Sequence, residues 1–164
     1  MSKTEQNLND AFSGESQANR KYLAYAKQAD KEGYPQVAKL FRAAAAAETV
    51  HAHSHLNVAG GIGSTAENLK DAVSGETHEF KSMYPQMIEE AREEGANKAE
   101  QGFLYANEVE KVHAELYQKA MDNLDSLETT DYYVCSVCGY TCEKEPPGKC
   151  PVCGAAAKAF SKVD

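Results

Sequence analysis

Two stretches of this 164-residue chain are written in the same register, and that repeat limits what the chain can fold into. Counting from Gly33, Phe41 stands at +8, Glu48 at +15, Val50 at +17 and His51 at +18. Counting from Gly95, Phe103, Glu110, Val112 and His113 occupy the same four offsets. Upstream, Glu15 precedes Gly33 by 18 residues and Glu76 precedes Gly95 by 19. A duplicated helix pair with a one-residue slip, assigned here to the Pro85 kink, accounts for the pattern. Each Glu-x-x-His pair sits three residues apart. On an α-helix that is a rotation of about 300°, so the two side chains share one face, one turn apart.

The segments carrying the repeat read as helices. Ser2 with Glu5 and Ser64 with Glu67 have the spacing of capping boxes, and Asn97 with Glu100 is expected to cap the last helix. Apolar residues recur at helical spacing, with Ala26 and Ala29 inward in the first helix and Val37, Leu40, Phe41, Ala44 and Ala45 in the second. Gly33 and Gly95 end helices, while Pro85 interrupts one because it lacks the N–H its preceding turn needs. Four such amphipathic helices predict an all-α four-helix bundle over residues 1–128. Residues 125–131 lose the period and read as a linker. The remaining residues, 129–164, are rich in Gly, Pro and Cys and too few to fold on a hydrophobic core alone.

Five inward carboxylates, Glu15, Glu48, Glu76, Glu79 and Glu110, could not share one core unneutralised, because a buried unpaired carboxylate costs several kcal/mol. A pair of cations resolves the problem. One Glu from each of two helices plus Glu-x-x-His from each of the other two is the di-iron or di-manganese arrangement of ferritin-like bundles. Glu15 and Glu76 would be terminal ligands, Glu48 and Glu110 bridges, and His51 and His113 the nitrogen donors. Any one of these residues alone would read as surface; their shared register is what argues for a site. Glu79 breaks the symmetry, since its counterpart after Glu15 is Ala18, and it offers one metal an extra carboxylate. Tyr22 and Tyr84 fall near the same faces and could bond ligand carboxylates. His51 and His55 have a zinc-protease spacing, but Ala52 stands where that motif needs Glu. His53 reads as exposed, and His55 and His78 as peripheral.

All five cysteines lie between 135 and 153. Cys135-x-x-Cys138-Gly139 and Cys150-x-x-Cys153-Gly154 make a four-thiolate site for zinc or iron, between which spacing does not choose. Cys142 is left over as a free thiol. Clustered knuckles favour a reducing compartment, and the N-terminal Met-Ser-Lys-Thr-Glu-Gln lacks the apolar core of a secretory signal, so cytoplasm is the expected location. The net charge of −8 argues against a nucleic-acid partner, and no apolar run is long enough to span a membrane.

These motifs together resemble the rubrerythrin family. The likeness is carried by Gly14-Glu15-Ser16 with Tyr22, Glu48-x-x-His51, Gly75-Glu76-x-x-Glu79, Met83-Tyr84-Pro85 and Glu110-x-x-His113. It extends through Tyr133-Val134-Cys135, Cys138-Gly139-Tyr140, Cys150-Pro151-x-Cys153-Gly154-Ala155 and Phe160 to a rubredoxin-like domain. The resemblance implies a ferritin-like bundle with two non-haem iron ions and a tail holding one iron as Fe(Cys)₄. It implies a peroxidase of the oxidative-stress response that reduces hydrogen peroxide to water. Electrons would pass from the rubredoxin-like iron, fed by rubredoxin or an NAD(P)H-linked reductase. It also implies that a ligand position alternates between His51 and Glu79, that Tyr22 and Tyr84 flank the site, and that the chain forms a homodimer. In that dimer each tail approaches the di-iron site of the other subunit. The alternatives are a ferritin-like ferroxidase and a zinc-bound, non-catalytic module.

Overall fold

The structure is a computed structural model that describes residues 1–163, so the last residue of the expected 129–164 domain, Asp164, lies outside the described residues. Five α-helices, α1 (Lys3–Lys31), α2 (Pro35–Val58), α3 (Thr65–His78), α4 (Tyr84–Glu93) and α5 (Asn97–Asp122), precede three short strands. The strands are β1 (Tyr132–Cys135), β2 (Thr141–Glu143) and β3 (Phe160–Val163), forming one antiparallel sheet in the order β2-β1-β3. A mostly helical chain with a small strand-bearing C-terminal region is the fold class expected from the sequence. No helix among the described residues is long and apolar enough to cross a membrane. By packing, the chain divides into two compact units, Met1–Gly63 and a second beginning at Ser64.

In the first unit, α1 and α2 form a hairpin. Ser2 and Glu5 close the expected capping box, satisfying two backbone donors that an open helix end would leave unpaired. At the turn, Gly33 takes φ +82° and the Tyr34 N–H reaches back to the Ala29 carbonyl at 2.8 Å, a left-handed stop that glycine adopts without steric cost. Ala38, Ala45 and Ala52 of α2, seven residues apart, are all buried; Ala38 packs with Ala26 and Ala29 of α1, and the Ala45 carbonyl meets Asn19. Val37 and Leu40, expected inward, are instead 45 % and 67 % exposed. The small alanines let the backbones approach closely, so the stripe that faces α1 is the alanine row and not the larger residues beside it. Asn19 is buried in this seam; its Nδ2 donates to the Ala45 carbonyl at 2.6 Å and to Thr49 Oγ1 at 2.8 Å.

The second unit repeats the plan with one alteration. Ser64 and Glu67 form their capping box, and Gly95 takes φ +67° with the Ala96 N–H on the Ala91 carbonyl, matching the turn at Gly33. Between α3 and α4 the chain makes a π-helical turn, Glu79–Met83, in which the Tyr84 N–H bonds the Glu79 carbonyl five residues back. A π-turn takes up one extra residue. It accounts for the spacing of 19 from Glu76 to Gly95 where the first half has 18, and it brings the chain to Pro85 at the start of α4. Asn97 does not cap α5: the cap position is Ala96, and Glu100 pairs with Arg92 Nε at 2.9 Å. The tight turn at Gly95 runs directly into the helix, so no extended residue precedes it from which Asn97 could cap. The Tyr22–Phe41 ring pair of the first unit, 6.1 Å between centroids, recurs as Tyr84–Phe103 at 6.2 Å.

The tail packs on α5 of the same unit. Lys119 Nζ meets both carboxylate oxygens of Glu143, at 2.8 and 2.6 Å, and a Cβ at Gly139 would lie 3.8 Å from Val109. β2 folds back along α5, and Thr141 reaches His113. Alternation along the strand sends Thr141 and Glu143 towards the helix, because successive side chains point to opposite faces.

Candidate metal centres

Helical periodicity assembles the first cluster. Glu48 and His51, one turn apart on α2, place His51 Nδ1 3.0 Å from Glu48 Oε2, and Glu15 of α1 brings Oε1 to 3.9 Å from the same nitrogen. The second cluster has the same plan. His113 Nδ1 lies 2.7 Å from Glu110 Oε2 on α5 and 3.9 Å from Glu76 Oε2 on α3. Within each trio the donor atoms lie within 4.8 Å of one another. One ion held at roughly 2.0–2.2 Å by O and N donors would need only small side-chain rotations to bind either set. Two carboxylates and one imidazole suit iron or manganese better than a soft metal.

The clusters differ in their surroundings. His51 has 55 % of its side chain exposed, whereas His113 has 27 %. Burial, the Glu110 charge and a hydrogen bond shared with Glu110, and the Glu79 charge push the Glu76 carboxyl up to about 7. A bound cation would remove the cause of that shift. Glu79 stands outside both trios; burial and the Glu110 charge raise it too, partly opposed by His78 and His113. Tyr84 is held protonated by burial and by Glu110, Glu79 and Glu76, so its hydroxyl stands in the field of those three acids. Tyr22 packs against Tyr25 and Phe41. His53 and His78 are exposed and His55 half-buried, and none of them joins a cluster among the described residues.

The four cysteines converge as expected. Cys135 and Cys153 sulfurs are 3.7 Å apart and Cys138 and Cys150 sulfurs 3.6 Å apart. These separations are far beyond the roughly 2.05 Å of a disulfide. They approach the roughly 3.8 Å edge of a tetrahedron built on metal–sulfur bonds of about 2.3 Å. At Cys150, burial is outweighed by the N–H groups of Cys153 and Val152, lowering the thiol to about 7. Burial pushes Cys138 up, an effect that a metal would reverse by taking the thiolate. Cys142 is not part of the set; its Sγ lies 3.7 Å from the Glu145 carbonyl.

Two residues that sequence reasoning missed belong to this picture. His113 Nε2 is 3.0 Å from Thr141 Oγ1, and Thr141 in turn donates to the Gly139 carbonyl at 3.1 Å. Asn19, buried between the positions of Glu15 and Tyr22 on α1, could have been suspected as a polar residue in an inward stripe. Nothing in the tail's sequence marks Thr141. A cleft of about 440 Å³ opens beside His113 and Glu76, with Leu116, Tyr117, Tyr132 and Thr141 on its walls.

A family model described as rubrerythrin matches residues 6–121, and one described as the rubredoxin-like domain of rubrerythrin matches 133–161. Rubrerythrin-2 of Clostridium acetobutylicum is 39% identical over 170 residues, covering 93% of this chain and 92% of that protein. Nigerythrin of Nitratidesulfovibrio vulgaris is 36% identical over 172 residues, covering 96% of this chain and 85% of that protein. A solved structure of the fully reduced, all-ferrous state of nigerythrin matches with a TM-score of 0.61 at 34% identity, covering 99% of this chain and 88% of that one. The residues of a di-iron site, as two Glu/His clusters, and of a rubredoxin-like Cys₄ site are thus present in a chain of nigerythrin-like fold.

Proposed function

The chain belongs to the rubrerythrin family, and from that premise we propose that it is a non-haem di-iron peroxidase that reduces hydrogen peroxide to water. The observation that carries this reading is the pairing, in one chain, of two Glu–Glu–His clusters with a Cys₄ site whose module rests on a cluster histidine. A four-thiolate iron is a one-electron centre, and carboxylate-rich iron sites exchange ligands with small oxidants. When bound, the irons supply the two electrons of H₂O₂ + 2e⁻ + 2H⁺ → 2H₂O.

The chain's own residues do the rest. Glu15, Glu48 and His51 would hold one ion, Glu76, Glu110 and His113 the other, and Cys135, Cys138, Cys150 and Cys153 the mononuclear iron. His51 and Glu79 would be the ligands that exchange with oxidation state; the exposure of His51 and the position of Glu79 outside the trios support that assignment. Tyr84, which keeps its proton beside three acids, is a hydrogen-bond donor towards them, and Tyr22 has the matching role on α1. The external donor is a rubredoxin or an NAD(P)H-linked reductase. The protein works as a cytoplasmic homodimer in defence against peroxide.

The test is anaerobic. Chain reduced at all its irons is mixed with one equivalent of peroxide, and the ferric-thiolate absorption and residual peroxide are followed together. Consumption of peroxide with return of the ferric spectrum is expected. If peroxide survives while air drives iron mineralisation, the ferroxidase reading replaces this one. Purified protein that holds only zinc at the cysteines and lacks visible absorption would end the redox reading of the tail.

A further inference from the structure

One polar atom of the second unit is left without a partner. Among the described residues, Asn107 Oδ1 is the buried side-chain oxygen that no hydrogen bond reaches. Native interiors hold few such atoms, because burying an unbonded amide costs free energy. The duplicated register says what stands opposite it. Asn107 follows Gly95 by 12 residues, as Ala45 follows Gly33 by 12. Ala45 lies across its seam from Asn19, four residues after Glu15; four residues after Glu76 is Phe80, in the π-turn. The π-turn packs on α5, and contacts on either side of Asn107 agree with this placement. One turn before it the Phe103 ring meets Tyr84, and one turn after it Lys111 borders the same cleft as Phe80. Asn107 is therefore placed opposite the turn between Phe80 and Tyr84.

That turn has an unpaired acceptor of its own. The Tyr84 N–H takes the Glu79 carbonyl as its backbone acceptor, so it does not serve Phe80, its α-helical partner. In the π register the donor to Phe80 would be residue 85, a proline with no N–H. Two acceptors, the Asn107 amide oxygen and the Phe80 carbonyl, thus share one seam, and neither can satisfy the other. A water molecule can, since its two O–H groups donate to both. We propose that the α3–α5 seam binds one structural water, held by Asn107 Oδ1 and the Phe80 carbonyl. It replaces the backbone bond that the wide turn and Pro85 give up, and so holds the turn that carries Glu79. The first unit has no such turn: α1 is regular there, and Asn19 bonds the Ala45 carbonyl directly. The inference is independent of the peroxidase reading.

The experiment uses the full, metal-loaded chain as wild type and as Asn107→Leu, which keeps the branched shape but accepts no hydrogen bond. A crystal structure of the wild type is expected to show one water within about 2.7–3.2 Å of both Asn107 Oδ1 and the Phe80 carbonyl. Asn107→Leu is expected to lose that water and to unfold at a lower urea concentration, with the slope of the transition unchanged. The reason is that the Phe80 carbonyl is then left buried and unpaired. An oxygen that nothing serves predicts the opposite, since replacing it by carbon removes a penalty. A urea midpoint equal to or above that of the wild type therefore overturns the proposal. So does a wild-type structure with no water at Asn107, or one in which the amide is turned so that Nδ2 donates to the turn directly. The wild-type structure decides the matter even if Asn107→Leu fails to fold.

Discussion

The Tyr84 amide closes its hydrogen bond on the carbonyl of Glu79, five residues back, where an α-helix would close on the fourth. That single wide turn sets the rotation of α3, and so of Glu76, relative to α4. Deleting Lys81 should restore α-helical winding and turn α3 by about 100°. The expected outcome is loss of metal from the Glu76–Glu110–His113 cluster with the ferric-thiolate absorption retained, read by metal analysis beside the visible spectrum. Unchanged metal content would show that the π-turn does not position the site.

Glu79 lies outside both trios. Its replacement by Ala should leave iron content unchanged and slow peroxide turnover. Glu48→Ala and Glu110→Ala, each removing one of only three donors in a trio, should lose iron. The measurements are iron per chain and the rate of peroxide consumption; iron lost from Glu79→Ala would contradict the assignment.

The raised Glu76 carboxyl has a consequence for the ion-free protein. Its folded value, about 7, lies above its ordinary 4.5, so between those limits the folded chain binds more protons than the unfolded one. The contribution is fully present below about 4.5 and is lost as pH rises through 7. Melting temperature of the metal-free chain should therefore fall across that window. Glu76→Gln, which cannot ionise, should flatten the fall, and a saturating divalent ion should reverse it by displacing the proton. A Gln variant with the same pH dependence as wild type would exclude Glu76 as the cause.

Asn19 holds the α1–α2 seam through two hydrogen bonds made inside it. Asn19→Ala should destabilise the chain by about 1–3 kcal/mol, the range for losing buried hydrogen bonds. Urea unfolding of the metal-loaded protein measures it. Stability equal to wild type would mean that the seam repacks without the amide.

Most of the site was legible because helix geometry converts spacing into proximity. Glu48 with His51 and Glu110 with His113 had to share a face whatever surrounded them, and the repeat of Gly33 in Gly95 located Glu15 and Glu76 as their partners. The one-residue slip was legible as well, although its location was assigned to Pro85 and the structure puts the extra residue in the preceding turn. The inward face of α2 was misread in part. Ala45 is buried as expected, but Val37 and Leu40 are not; close helix contact rewards small side chains, and Ala38 and Ala52 join Ala45 in the seam. The Asn97 cap failed for a similar reason, since the turn at Gly95 had already fixed how the chain enters α5.

The sequence by itself determined the ligand types and the helical phase that groups them. It also determined the four-thiolate knuckles, because each depends on residues within one or two turns of one another. Only the tertiary structure decided that β2 folds back on α5, that Thr141 meets His113, and that the extra residue is stored as a π-turn after Glu76. Thr141 lies 28 residues from His113. No local period relates residues so far apart, and their meeting depends on where a short strand comes to rest once Lys119 and Val109 have seated it.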